Sequence, residues 1–297
     1  MRRRSFLGLS LTALASASLP VAAGPAPRFE GRFTWRRDDP DFGGFSGIEV
    51  WDRGARFIAI TDRGSLIEGR FLRDGGGALR GMEAGPLEPL RDTEGVPLRG
   101  EMMTDAEGLA RAPGGRLFVS FERRHRVWAY ARPDARAEPL PAHPDFARLQ
   151  TNSGLEALAI GPDGTLYAIP ERSGALDRPF PVYRFRGGAW DIPFAVPRRG
   201  TFLVVGADIG PDGRLYVLER DVILPFGFSS RVRCFEMGRT GLGAETQILS
   251  SRPGRHDNLE GISVWRAASG RLWITMISDD NFRLFQRTEI VEYSLPG

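Results

Sequence analysis

The stretch NSGLEALAIGPDGTLYAIPER, residues 152–172, decides the fold. Two apolar runs, Leu155–Ile160 and Leu166–Ile169, flank the turn Pro162-Asp163-Gly164. Proline fixes one φ and glycine supplies the left-handed position, so the segment predicts a β-hairpin. Glu156 opens the hairpin and Glu171 closes it. Carboxylates at the ends of packed strands are costly unless something cationic meets them.

The hairpin recurs along the chain. LFVSFE (117–122), LYAIPE (166–171), LYVLER (215–220) and LWITMI (272–277) are versions of one strand, and FIAITD (57–62) is a fifth. Their first residues lie 60, 49, 49 and 57 positions apart, and four follow a glycine-bearing turn. A period near 50 with several strands per unit predicts an all-β fold, a β-propeller of four-stranded blades. Five blades are read, with a sixth open in the long stretch 66–98. The last unit has three strands, and RFEGRFTW (28–35) is a spare strand before the first unit. The N-terminal strand is therefore expected to complete the last blade, which removes an exposed edge. A β-sandwich would explain neither the period nor the spare strand.

The sequence contains no lysine, so all 40 basic residues are arginine. MRRRSFLGLSLTALASASLPVAAGPAP (1–27) has a basic start, an apolar stretch and small residues at Val21, Ala22 and Ala23. It reads as a secretory signal (1–23) cleaved after Ala23, too short in its apolar part to span a bilayer. Arg3-Arg4-Ser5-Phe6-Leu7 is similar to the twin-arginine export motif, with a Sec signal as the alternative. A periplasmic or secreted protein follows, with a single domain over 24–297. Removing Arg2, Arg3 and Arg4 from the 40 leaves 37 arginines against 37 acids. Nothing in that balance calls for nucleic acid or an anionic membrane, and a monomer acting on a small molecule is expected. The lone Cys234 excludes an internal disulfide or a multi-cysteine metal site.

The acids follow the repeat. Glu107 and Glu156 each lie ten residues before the leucine of their unit, and Glu260 lies twelve before Leu272. Each begins an innermost strand. Asp62, Glu122, Glu171 and Glu219 sit where the second strand returns to the same face, and Asp208, Asp279 and Asp280 are expected to join them. Glu49 lies out of step. So many carboxylates at one mouth of the channel cannot all ionise without compensation. Two sources offer it: the arginines after the end-acids, Arg63, Arg123, Arg172 and Arg220, and a divalent cation. Oxygen-only ligands suit Ca²⁺ or Mg²⁺, with Glu107, Glu156, Asp208, Glu260, Asp62, Glu122, Glu171 and Asp279 as candidates. The bland alternative is that each acid caps turn amides or pairs with arginine inside its own blade. His125, His143 and His256 share no spacing that suits zinc, and Gly44-Phe45-Ser46-Gly47 lacks the spacing of a serine-nucleophile elbow.

The segments DAEGLARAPGGRLFVSFER, NSGLEALAIGPDGTLYAIPER, DIGPDGRLYVLERD and NLEGISVW followed by ISDDNF, in that order, carry a resemblance from about Phe45 to Tyr293. The chain resembles the phytase-like propeller family, described by an esterase-like activity of phytase. The resemblance implies a propeller, often exported, and a hydrolase. It further implies several Ca²⁺ ions at an acidic mouth, with Glu107, Glu156 and Glu260 as metal or substrate ligands. The short chain and the irregular first unit depart from larger members. The expected function is metal-assisted hydrolysis of an ester or phosphoester, with one start-acid as general base and the arginines holding substrate. Two other readings stand beside it: a non-catalytic ligand-binding propeller, and a lactonase-type propeller using one metal held by carboxylates and Asn152 or Asn258.

Overall fold

The computed structural model describes residues 26–239 and 241–296, so the expected leader lies outside the described residues. Strand β1 (Arg28–Thr34) stands apart from the first blade, which holds β2 (Phe45–Trp51), β3 (Arg56–Thr61), β4 (Ser65–Arg73) and β5 (Leu79–Ala84), with the short β6 (Glu88–Pro89) paired to β4. The second blade is β7 (Ala106–Arg111), β8 (Leu117–Phe121), β9 (Arg126–Tyr130) and β10 (Glu138–Pro139). The third is β11 (Ala157–Ile160), β12 (Leu166–Ile169), β13 (Phe180–Arg186) and β14 (Ala189–Val196). The fourth is β15 (Leu203–Ile209), β16 (Leu215–Ile223), β17 (Gly227–Met237) and β18 (Leu242–Ser250). The last three strands, β19 (Asn258–Arg266), β20 (Leu272–Asp279) and β21 (Glu289–Ser294), are completed by β1, which pairs antiparallel with β21. The stretch 66–98 supplies β4 to β6 of the first blade and no sixth blade.

The inner strands contact one another in the order β2, β7, β11, β15, β19 and back to β2, which closes a five-bladed ring. The core is divided accordingly. Each buried cluster lies between two neighbouring blades, such as Ile58, Ile60 and Leu66 against Leu117, Phe121 and Tyr130. The junction of the last and first blades packs Trp265, Trp273 and Ile277 against Phe45, Phe57 and Phe71. Each large apolar side chain buried this way contributes roughly 1.5–3 kcal/mol, so the ring is held by blade-to-blade packing.

The inner strands carry an irregularity that sets up the mouth of the channel. Pairing slips between Phe45 and Gly47, between Ala106 and Leu109, between Val204 and Gly206, and between Leu259 and Gly261. Each slip is a β-bulge, which re-aims the side chain at the extra residue. A small residue follows the extra one, because neighbouring inner strands meet there. A Cβ on Gly206 would lie 2.5 Å from the Glu260 carbonyl oxygen. In the second blade the freed Gly108 amide donates to Ser120 Oγ at 2.9 Å, and that hydroxyl donates to the Leu155 carbonyl of the third blade at 2.6 Å.

Candidate active site at the channel mouth

The repeated geometry places equivalent positions of the five blades around one opening. The bulge positions of four blades carry Ser46, Glu107, Val205 and Glu260, and Glu156 holds the equivalent place just before β11. Facing them, at the ends of the second strands, stand Asp62, Glu122, Glu171, Arg220 and Asp279. The residues paired with that second set are Gly44, Asp105, Gly154, Leu203 and Asn258. Glu107, Glu156 and Glu260 keep part of their surface open to the channel, whereas Glu122, Glu171 and Asp279 are buried.

Arg220 is the cation that meets the hairpin's acids. It donates to Asn258 Oδ1 at 2.6 Å, to Glu171 Oε1 at 3.3 Å and to Glu260 Oε1 in a close ion pair. Burial opposes its charge, but Glu260, Glu171 and Glu156 outweigh that and raise its pKa. Asn258 also donates to Glu260 Oε1 at 2.9 Å and to Asp279 Oδ2 at 3.4 Å. This half of the mouth is therefore compensated from within the chain.

The other half is not. Asp105, Glu107 and Glu122 offer carboxylate oxygens that all lie within 4.8 Å of one another. Arg123 reaches only the first of them, donating from Nε to Asp105 Oδ2 at 2.7 Å. Glu122 accepts a short hydrogen bond from the Gly154 amide and lies close enough to the Glu156 carboxyl to raise its pKa. Asp62 Oδ1 is buried and has no hydrogen-bond partner among the described residues. Burial and the surrounding acids push Glu107 and Glu156 well above the usual carboxylate range. Burial, then Glu260, raises Asp62 to about 7 and Asp279 to about 8. Acids held this way either keep their protons or take a cation. The residues fit a hard divalent ion: all donors are oxygen, and at least one buried carboxylate oxygen is left over.

Several expectations change. Asp208 does not join this mouth. It pairs across to Tyr216 near the turn end of its hairpin and sits with Glu49 among the turn residues Pro162 and Pro211, at the opposite opening. Asp208 and Glu49 occupy equivalent positions, two residues beyond the glycine that follows the bulge, so Glu49 is in step with Asp208 rather than out of step. Glu219 is also displaced. It falls one residue before the position filled by Glu122 and Glu171, and side chains alternate between the faces of a strand. It is buried inside its own blade between Arg231 at 2.7 Å and Arg233 at 2.6 Å. Arg220, expected to follow an end-acid, instead takes the end-acid position itself.

Arg63 lies over the Phe282 ring, 3.4 Å from its centroid, and pairs with Asp41, while Arg172 is bonded to Ser153 Oγ at 2.8 Å and Glu171 at 3.2 Å. Asp280 accepts from the Gly44 and Phe282 amides, both at 3.1 Å, as a loop staple beside the opening. Asn152 is exposed in the loop before the third blade. Asp105 was missed. Its signal was available in DAEG, two residues before Glu107, the offset at which Asn258 precedes Glu260.

The family model described as phytase-like, esterase-like activity of phytase, matches residues 40–282. The chain belongs to the phytase-like family. None of the curated proteins matches it. Among solved structures it is similar to a selenomethionine-substituted virginiamycin B lyase from Staphylococcus aureus, at 15% identity over 90% of this chain and 74% of that one, with a TM-score of 0.44. It is similar also to the PQQ-bound form of an aldose sugar dehydrogenase from Streptomyces coelicolor, at 14% identity over 91% of this chain and 99% of that one, with a TM-score of 0.48. The family expectation thus holds, and the family's description suggests a hydrolase-type activity.

Proposed function

We propose that this phytase-like propeller hydrolyses a small phosphoester or carboxylic ester at the acidic mouth, with Ca²⁺ as cofactor. The observation that carries the reading is the convergence of carboxylate oxygens of Asp105, Glu107 and Glu122 within 4.8 Å of one another. Asp105, Glu107 and Glu122, with Asp62 beside them, would hold the ion. When bound it would supply Lewis-acid polarisation of the ester or phosphoryl oxygen and a more acidic water.

The remaining residues have separable tasks. Glu260 and Glu171 are committed to Arg220, which leaves Glu156 as the start-acid free to move a proton. In its ionised form Glu156 accepts the proton of the attacking water as the ester bond breaks, and returns it to the departing alkoxide. Burial, then Glu107 and Glu122, raise its pKa, which makes it a stronger base than an ordinary carboxylate. Arg220 keeps Glu171 and Glu260 paired and offers a fixed cation toward negative charge developing at the rim.

The test is an assay of the leader-free protein on phosphomonoesters and on short acyl esters, with Ca²⁺ and with chelator. Turnover that chelator abolishes and Glu156→Gln strongly lowers is expected. No turnover on either class with any divalent metal would refute the reading.

A further inference from the structure

A pocket lies on the third blade, between the loops 145–153 and 170–179, with β13 and β14 behind them. Its volume is about 660 Å³, within the range of small-molecule sites. Pro179, Pro181, Ile192 and Phe194 give it an apolar wall, and Ile192 is 42% exposed. Arg172 joins the pocket to the mouth. It lines the pocket, and its Nε donates to Glu171 Oε2 at 3.2 Å, while Glu171 Oε1 meets Arg220.

The lining charges do not balance. Arg148, Arg172 and Arg178 face a single carboxylate, Asp145. That acid is already shared among the Tyr183 hydroxyl at 3.5 Å, His143 at 3.7 Å and Arg148 at 3.9 Å. Arg172 spends only its Nε, on Ser153 Oγ and Glu171, and its two terminal nitrogens have no hydrogen bond among the described residues. Arg178 has no ion-pair partner among the described residues, and it lies against Gly174, where a Cβ would come 3.0 Å from its Nη1. Gly174 holds φ at +90°, so glycine both permits that turn and leaves room for the guanidinium. A neutral or cationic ligand would leave this surplus of positive charge unmatched.

We propose that this pocket binds an organic carboxylate with an apolar body, the carboxylate on Arg172 and Arg178 and the body on Pro179, Pro181, Ile192 and Phe194. A guanidinium presents its N–H groups as a fork that matches the two oxygens of a carboxylate. The apolar wall gains only from a ligand that removes it from water, which a small inorganic anion does not do. On the ester-hydrolase reading above, the pocket holds a carboxylate-bearing part of the ester while the ester bond lies at the mouth. That role rests on the hydrolase reading, whereas the binding itself does not.

Calorimetric titration of the leader-free protein with 2-naphthoate tests the site, with 2-naphthol and inorganic phosphate as controls. Chelator is present throughout, so that no metal at the mouth takes the carboxylate. Saturable binding of 2-naphthoate is expected, with both controls at least tenfold weaker. Arg178→Gln, at an exposed position that does not threaten folding, should weaken it about tenfold, the scale of one charge-assisted hydrogen bond. Ile192→Ser should weaken it as well. Arg116→Gln removes the same charge from an exposed site on the second blade and should leave it intact. Naphthoate binding without ester turnover would sink the hydrolase reading and keep this one. No saturable binding of 2-naphthoate, equal binding of either control, or equal losses from Arg178→Gln and Arg116→Gln would overturn it.

Discussion

Arg220→Met removes the internal cation of the mouth while keeping a stem of similar length against Phe228. The substitution strands Glu171, 6% exposed, and Glu260, both of which Arg220 contacts directly. Removing one partner of a buried pair costs about 3–5 kcal/mol, because the other charge stays buried and uncompensated. We take the lower end, about 3 kcal/mol, since the Asn258 amide still donates to Glu260. At about 2–4 °C per kcal/mol for a domain near this size, the melting temperature should fall by about 6–12 °C at pH 8. The loss should shrink as pH falls. Glu260 is already pushed up by burial with Arg220 only partly opposing, so without Arg220 it holds its proton to still higher pH. Below that range both proteins carry the proton and the missing cation matters less. Thermal unfolding at pH 5 and pH 8, without divalent metal, measures both. A loss under about 1 kcal/mol, the scale of an exposed ion pair, or one equal at the two pH values, would refute Arg220 as the compensating charge.

Glu107→Gln should weaken Ca²⁺ binding by about 1.5–3 kcal/mol, the scale of a charged contact. Calorimetry with Ca²⁺ reads this, and an unchanged affinity would place the ion elsewhere. Asp208→Asn, at the opposite opening, should raise the melting temperature at pH 8 and change it little near pH 4. Burial lifts the Asp208 carboxyl from 3.8 to about 7, so the folded protein binds a proton that the unfolded chain has lost. Stability of the unsubstituted protein therefore falls as pH rises from about 4 to 7, and the amide removes that term; equal melting shifts at both pH values would show the reasoning wrong. Arg3→Lys with Arg4→Lys should block export if the leader is read by the twin-arginine route. Fractionation of the expressing cells measures it, and continued secretion would assign the leader to Sec.

The sequence by itself determined the all-β propeller and the closing N-terminal strand, and it left a sixth blade open in 66–98 that the structure assigns to the first blade. Those features rest on local physics: short apolar runs recurring about every 50 residues, Pro-Asp-Gly turns, and a last unit with three strands. It also marked Glu107, Glu156 and Glu260, because each stands at a fixed distance before a recognisable strand. The tertiary structure alone decided which way the other charges face. Bulges at Ser46, Glu107, Val205 and Glu260 shift the register by one residue, and a one-residue shift exchanges the two faces of a strand. Glu219 stands four residues after its leucine where Glu122 and Glu171 stand five, so it turns into its blade against Arg231 and Arg233, and Arg220 takes the rim position. Asp208 and Glu49, on the same inner strands as the mouth, lie far enough along them to emerge at the other opening. Whether a carboxylate at the rim finds an arginine also depends on neighbouring blades, as Arg220 meets Glu171 and Glu260, 49 and 40 residues away in the chain. Local pattern carries no record of those encounters, and only closure of the ring brings them about.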